Sequence, residues 1–130
     1  MNNELNSGAY QLYIKVSRKV KIKIGSLGEF IFEPGIYVYT GSAMKNLRQR
    51  VARHQRLSSD KDKSKLRWHI DYLLSNKFVH LEEIKLFPST QKEECEINQI
   101  LLNQGKAIIP IEKFGSSDCR NCRSHLVFLI

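Results

Sequence analysis

The stretch Gly35-Ile36-Tyr37-Val38-Tyr39-Thr40-Gly41-Ser42-Ala43, followed by Leu47, Arg48, Arg50, Arg53 and His54, reads as a strand that turns sharply into a basic helix. An extended backbone alternates its side chains, so Ile36 and Val38 share one face and Tyr37 and Tyr39 the other. Gly41 and Ser42 break the strand, and helical spacing begins near Met44 and runs to about Arg56. On that helix Leu47 and Val51 lie four apart, as do Arg50 and His54, which sets an apolar stripe beside an Arg/His stripe. A strand-end tyrosine thereby faces a guanidinium and an imidazole, a corner suited to gripping a phosphate.

Upstream, the run from Ala9 to Val16 alternates as a strand should, with Tyr10, Leu12, Ile14 and Val16 on one face. Val20-Lys21-Ile22-Lys23-Ile24 alternates more strictly, and its lysines suit an exposed edge strand. Glu29-Phe30-Ile31-Phe32 adds a short strand before the turn signal Glu33-Pro34-Gly35, so the first third predicts a β-meander. Downstream, the polar residues 57–64 read as a mobile loop. A second helix is predicted from Lys65 to Ser75, with Leu66, Ile70, Leu73 and Leu74 turned inward. Lys77 to Phe87 reads as a strand whose period slips near Glu82 and Glu83. Ser89 or Thr90 caps a third helix that runs to about Asn103 and is closed by Gly105. Leu126-Val127-Phe128-Leu129-Ile130 reads as a buried final strand, and residues 1–7 as a polar, frayed start. The expected fold is α+β: one domain with a small, mainly antiparallel β-sheet flanked by three helices.

A chain of 130 residues, 42% hydrophobic and 26% charged, is long enough to bury one core without staples. Its formal charge of +8 is concentrated between Lys45 and Arg67, where nine Lys and Arg residues are interrupted only by Asp60 and Asp62. Such a block favours a polyanion, since each cation placed near a phosphate releases counterions; nucleic acid stands ahead of a solubilising surface, and a membrane surface is a distant third. No basic-then-apolar start and no membrane-length run occur, so the expected location is cytoplasmic. Cys95, Cys119 and Cys122 are an odd number without an export signal, which argues against a disulfide framework.

Gly8-Ala9-Tyr10, Tyr39-Thr40-Gly41 and Arg50 together resemble the GIY-YIG nuclease superfamily, with the hairpin around residues 17 to 34 inserted between the two triplets. The literal Gly35-Ile36-Tyr37 is a decoy, because no second triplet follows it before the helix. Ala9 and Thr40 depart from the usual aliphatics. The blocks Tyr37 to Ala43, Arg53-His54, Trp68 to Leu74, Phe114 to Cys119 and Ser124-His125-Leu126 are similar to a branch of that superfamily sometimes fused to endonuclease III-like repair glycosylases.

The resemblance implies a metal-dependent endonuclease that hydrolyses nucleic-acid phosphodiesters, with a role in DNA repair. Tyr10 would help deprotonate water, alone or by relay, Tyr39 would position it, and Arg50 would supply positive field or bind the phosphate. The metal ligand is expected on the third helix, with Glu96 chosen and Glu94 in reserve; Glu93 reads as solvated. One carboxylate plus waters suits Mg²⁺ or Mn²⁺. His54 would contact phosphate or shuttle a proton, or else act as a cation at a helix C-terminus. Lys45, Arg48, Arg53 and Arg56 are the expected nucleic-acid contacts, with DNA ahead of RNA and a repair protein as a further candidate partner. Trp68 reads as core. Cys119-x2-Cys122-x2-His125 offers three zinc-compatible ligands, one short of a closed site, which His69, His80 or Cys95 would complete; the competing reading is a tight loop packed on the core. The rival to the enzyme is a nucleic-acid-binding module on the same scaffold that does not cut.

Overall fold

The two long alternating runs pair with each other directly. A computed structural model, which describes residues 5–64, 66–115 and 122–130, sets strand β1 (Gly8–Val16) antiparallel to β4 (Gly35–Ala43). Tyr10 lies opposite Gly41 and Leu12 opposite Tyr39. The intervening β2 (Val20–Ile24) and β3 (Gly28–Phe32) form a separate two-stranded sheet, joined by a short 3-10 turn. The first third is therefore an inserted hairpin within a β1–β4 pair and not a continuous meander. Ile22 and Ile24 turn to the core while Lys21 and Lys23 face outward, so the hairpin packs through one face only.

Beyond β4 the chain forms helix α1 (Leu47–Asp60), helix α2 (His69–Leu74), strand β5 (Val79–Pro88), helix α3 (Glu94–Leu102), strand β6 (Ala107–Ile108) and strand β7 (Leu126–Leu129). The main sheet runs β5-β1-β4-β7-β6 with antiparallel pairings, so the fold is α+β, with five strands, a small second sheet and three helices among the described residues. The slip in period near Glu82 is real. β1 and β5 change register there, Tyr13 facing Glu83 and Ile14 facing Leu81, as a β-bulge does.

One sheet face carries Tyr10, Leu12, Ile14, Tyr37, Tyr39 and Leu126, packed with Leu47, Val51 and Leu57 of α1 and Ile70, Leu73 and Leu74 of α2. Val38 and Val127 on the other face pack with Leu101 of α3. Among the described residues, no helix is long and apolar enough to cross a membrane.

Three helix boundaries differ from the sequence expectation. α1 continues through residues 57–60, where a mobile loop was expected, because Leu57 belongs to the buried stripe and the Ser58 hydroxyl accepts the Leu81 amide at 3.2 Å. It stops at Lys61, which is left-handed at φ 56° and whose ammonium donates to the Leu74 and Val79 carbonyls. α2 is shorter than residues 65–75: Trp68 is extended, and the Asp71 carboxylate accepts the Arg67 and Trp68 amides at the helix entry. α3 begins at Glu94 and not after Ser89 or Thr90, since the Ser89 amide is held by the Ser7 carbonyl and its hydroxyl by the Gln91 amide.

Asp71 is fully buried and is clamped by both terminal nitrogens of Arg53, at 2.9 and 3.0 Å. Burial pushes its carboxyl up, but the Arg53 fork and the two amides reverse this and hold it below the ordinary carboxylate value. Arg53, expected to contact nucleic acid, instead fastens α1 to α2. Removing it strands a buried charge. Arg53→Leu is expected to cost about 3 kcal/mol, whereas exposed Arg56→Ala should stay within about 0.5 kcal/mol. Urea unfolding of the two variants checks this; equal effects would contradict the clamp.

Candidate functional site

The strand-end tyrosine and the basic helix do meet, and glycines make the meeting possible. A Cβ at Gly41 would stand 2.6 Å from the Tyr10 hydroxyl oxygen, and one at Gly115 would stand 2.7 Å from the Tyr39 ring. Both tyrosines therefore sit against bare backbone. Their ring centroids are 6.3 Å apart, and together with Gly41, Ser42, Arg50, Trp68, Lys92, Glu94, Cys95, Gly115 and His125 they line a pocket of about 420 Å³.

Arg50 reaches this pocket from the edge of the buried stripe of α1. One terminal nitrogen donates to the Ser42 carbonyl at 2.9 Å, and the guanidinium stacks 4.9 Å from the centre of the Trp68 ring. Trp68 packs against the core, as expected, and its ring is also a bed for cations, with Arg53 at 4.7 Å and Arg67 at 5.5 Å from the same ring. Among the described residues, the carboxylate at the pocket is Glu94, whose Oε2 accepts the Ser42 hydroxyl at 2.7 Å. Glu96, the ligand chosen from the sequence, is exposed and outside the lining, because two residues along a helix turn the side chain away by more than half a revolution. Glu94 was the reserve.

His54 is neither a helix-terminal cation nor able to touch a phosphate. It is fully buried, two turns inside α1, and its Nε2 lies 2.9 Å from the Tyr10 hydroxyl. Burial lowers its pKa to about 4, against a smaller upward pull from Asp71, so the ring is neutral at pH 7. Its Nδ1 has no hydrogen-bond partner among the described residues. The tyrosines are shifted the other way. Burial and the neighbouring Tyr39 raise Tyr10 well above the ordinary phenol value despite Arg50, which donates to its oxygen, and burial raises Tyr39 to about 12.

Lys45, Arg48 and Arg56 are exposed and lie outside the pocket, Arg48 beside Leu5, Leu86 and Pro88 and Arg56 beside Asp60 and Asp62. Lys92 is the pocket lysine that sequence reasoning passed over. Of the cysteine–histidine triplet, Cys119 lies outside the described residues. Cys122 is disulfide-bonded to Cys95, which corrects the expectation drawn from an odd cysteine count; the partners are 27 residues apart and leave no local spacing to read. His125 is buried beside them. His69 does not complete a zinc set, since its Nδ1 accepts the Gly115 amide at 2.9 Å, and His80 is exposed on β5.

The site and fold define an antiparallel α+β domain with a tyrosine–arginine–carboxylate pocket at one end of its sheet. A family model described as a domain of unknown function, DUF123, matches residues 9–130, and the chain belongs to that family. No curated protein and no solved structure gives a significant match.

The buried neutral His54 makes stability pH-dependent with a definite sign. Its folded pKa lies below the unfolded value near 6.5, so its contribution is complete above pH 6.5 and is lost as pH falls toward 4. The loss amounts to about 3 kcal/mol. Burial lowers His69 and His125 in the same direction, while Asp71 acts only below the unfolded carboxylate range. Urea unfolding between pH 7 and pH 4.5 should show this decline, flattened in His54→Gln. Parallel decline in both proteins would show that His54 is not the group responsible.

Proposed function

We propose that the pocket hydrolyses nucleic-acid phosphodiester bonds with the help of a divalent metal, as the resemblance to GIY-YIG nucleases implies. The observation that carries this reading is the convergence of Tyr10, Tyr39, Arg50 and Glu94, from four separate elements, on one pocket. The donor set among the described residues fits Mg²⁺ or Mn²⁺: one carboxylate, held in orientation by Ser42, with open polar space for the waters such ions retain. Glu94 would hold the ion, which when bound supplies Lewis-acid stabilisation of phosphoryl charge.

The remaining work falls to the chain. Arg50 rests on Trp68 and is tied to the Ser42 carbonyl, which fixes its guanidinium where a phosphate oxygen can accept from it. Tyr39 orients the attacking water. Tyr10 takes that water's proton while handing its own to His54. Burial holds the Tyr10 phenol well above its ordinary value, so a free phenolate is disfavoured at neutral pH. Passing the proton to the neutral His54, 2.9 Å away, leaves Tyr10 neutral throughout, and the buried Asp71 carboxylate favours the transient imidazolium.

The basic surface around α1 supports nucleic acid as the substrate class, with DNA repair the role the resemblance suggests. Labelled single-stranded, duplex, nicked, flap and junction DNA and RNA, incubated with Mg²⁺ or Mn²⁺, form the test. Divalent-dependent cleavage should fall at least about 100-fold in Tyr10→Phe, Arg50→Ala and Glu94→Gln and persist in Glu96→Gln. Salt-sensitive binding with no cleavage of any substrate would instead identify a non-cutting binding module.

A further inference from the structure

The Cys95–Cys122 disulfide does not stand alone. The sulfurs and a nitrogen of His125 all lie within 4.8 Å of one another, and Cys95 and His125 border the pocket. His125 is 5% exposed, and its Nε2 is a buried polar atom with no hydrogen-bond partner among the described residues. The same ring makes a backbone hydrogen bond with Gly115. The arrangement suits a ligating histidine: the ring is held by the Gly115 backbone, one ring nitrogen lies with the two sulfurs, and Nε2 is otherwise unsatisfied among the described residues. An isolated disulfide explains the two sulfurs but leaves the nitrogen's lost hydration uncompensated.

We propose that reduction of this disulfide opens a three-ligand site for a borderline-soft divalent ion of the Zn²⁺ class, held by Cys95, Cys122 and His125. The ligands differ from the sequence-adjacent triplet by exchanging Cys119 for Cys95, a residue made near only by folding. A dithiol donor supplies two electrons and two protons, breaking the S–S bond to give two thiols while the donor is oxidised to its own disulfide. Binding the ion then displaces both thiol protons, leaving two thiolates and a neutral imidazole as ligands. Two sulfurs and one nitrogen match the Cys₂His set of open zinc sites, and Cys95 and His125 border the pocket, so water would reach a bound ion. Glu94, one residue before Cys95, is a separate oxygen donor and is not required. The scaffold around the site is independent of the disulfide: the Asn98 amide donates to the Ser124 carbonyl at 2.6 Å, so α3 and the segment before β7 stay together when the bond is broken. The site would be closed to metal when oxidised and open when reduced, whether or not the protein is a nuclease.

The test is titration of the intact chain with Co²⁺, without nucleic acid, after phosphine reduction and removal of the reductant and any metal with a chelator. Reduced protein should take up one equivalent with a thiolate-to-metal charge-transfer band, which Zn²⁺ abolishes by displacement. Unreduced protein should show none. Cys95→Ser should lose the band, and His125→Gln should weaken binding at least about 10-fold. The wild-type titration decides even where a variant fails to fold: no thiolate band in the reduced protein overturns the proposal. A band kept in Cys95→Ser and lost in Cys119→Ser would also overturn it, by moving the ligands to the sequence-adjacent triplet. Cleavage assays are not involved, so failure here and failure of the nuclease reading are distinct results.

Discussion

The register of β1 on β4 is the constraint on which the rest depends. Pairing Tyr10 with Gly41 places a phenol against a backbone with no Cβ, and only there can its ring lie across β4 and its hydroxyl reach His54 on α1. A slip of one residue would turn Tyr10 to the α3 face and bring Gln11 into the core. The pairing is secured from both ends: the inserted hairpin returns the chain in register, and β5 and β7 flank the pair on either side. Register, pocket and buried imidazole are thus one feature, so a protein with this sheet and a bulkier residue at position 41 could not assemble the same site.

Charge in the middle of the chain divides into two kinds. Arg53 is committed to buried Asp71 and stacked on Trp68, so it serves the α1–α2 joint. Arg50, three residues earlier, shares the same indole but turns to the pocket. Reading both as phosphate contacts treats helix neighbours as equivalent, whereas the deciding factor is a carboxylate on another helix. Lys45, Arg48 and Arg56 stay at the surface and contribute the diffuse positive field that a polyanion would meet first.

Much of the fold was legible because the strands alternate strictly and the apolar stripes of the helices keep their period. Even the β5 bulge showed as a break in pattern at Glu82. The helix ends were not, since Leu57, Asp71 and Ser89 owe their roles to partners far along the chain. At the site, Tyr10, Tyr39 and Arg50 follow from spaced triplets, but the choice between Glu94 and Glu96 depends on how α3 is rotated about its axis, which three closely spaced glutamates leave open. His54 carried a readable clue, lying seven residues beyond Leu47 and three beyond Val51, that it belongs to the buried stripe. The Cys95–Cys122 pairing left no trace in local spacing.

The claim at the centre of this account is that Tyr10, Arg50 and Glu94 form one ion-and-phosphate basin. Titration of ¹⁵N-labelled protein with substoichiometric Mn²⁺ tests it most directly, since the ion broadens amide signals near the place where it binds. The account predicts that Gly41, Ser42 and Glu94 broaden first and that Glu94→Gln abolishes the effect. Broadening centred on Asp60 and Asp62, or on Glu82 and Glu83, with Gly41 and Ser42 untouched, would contradict it.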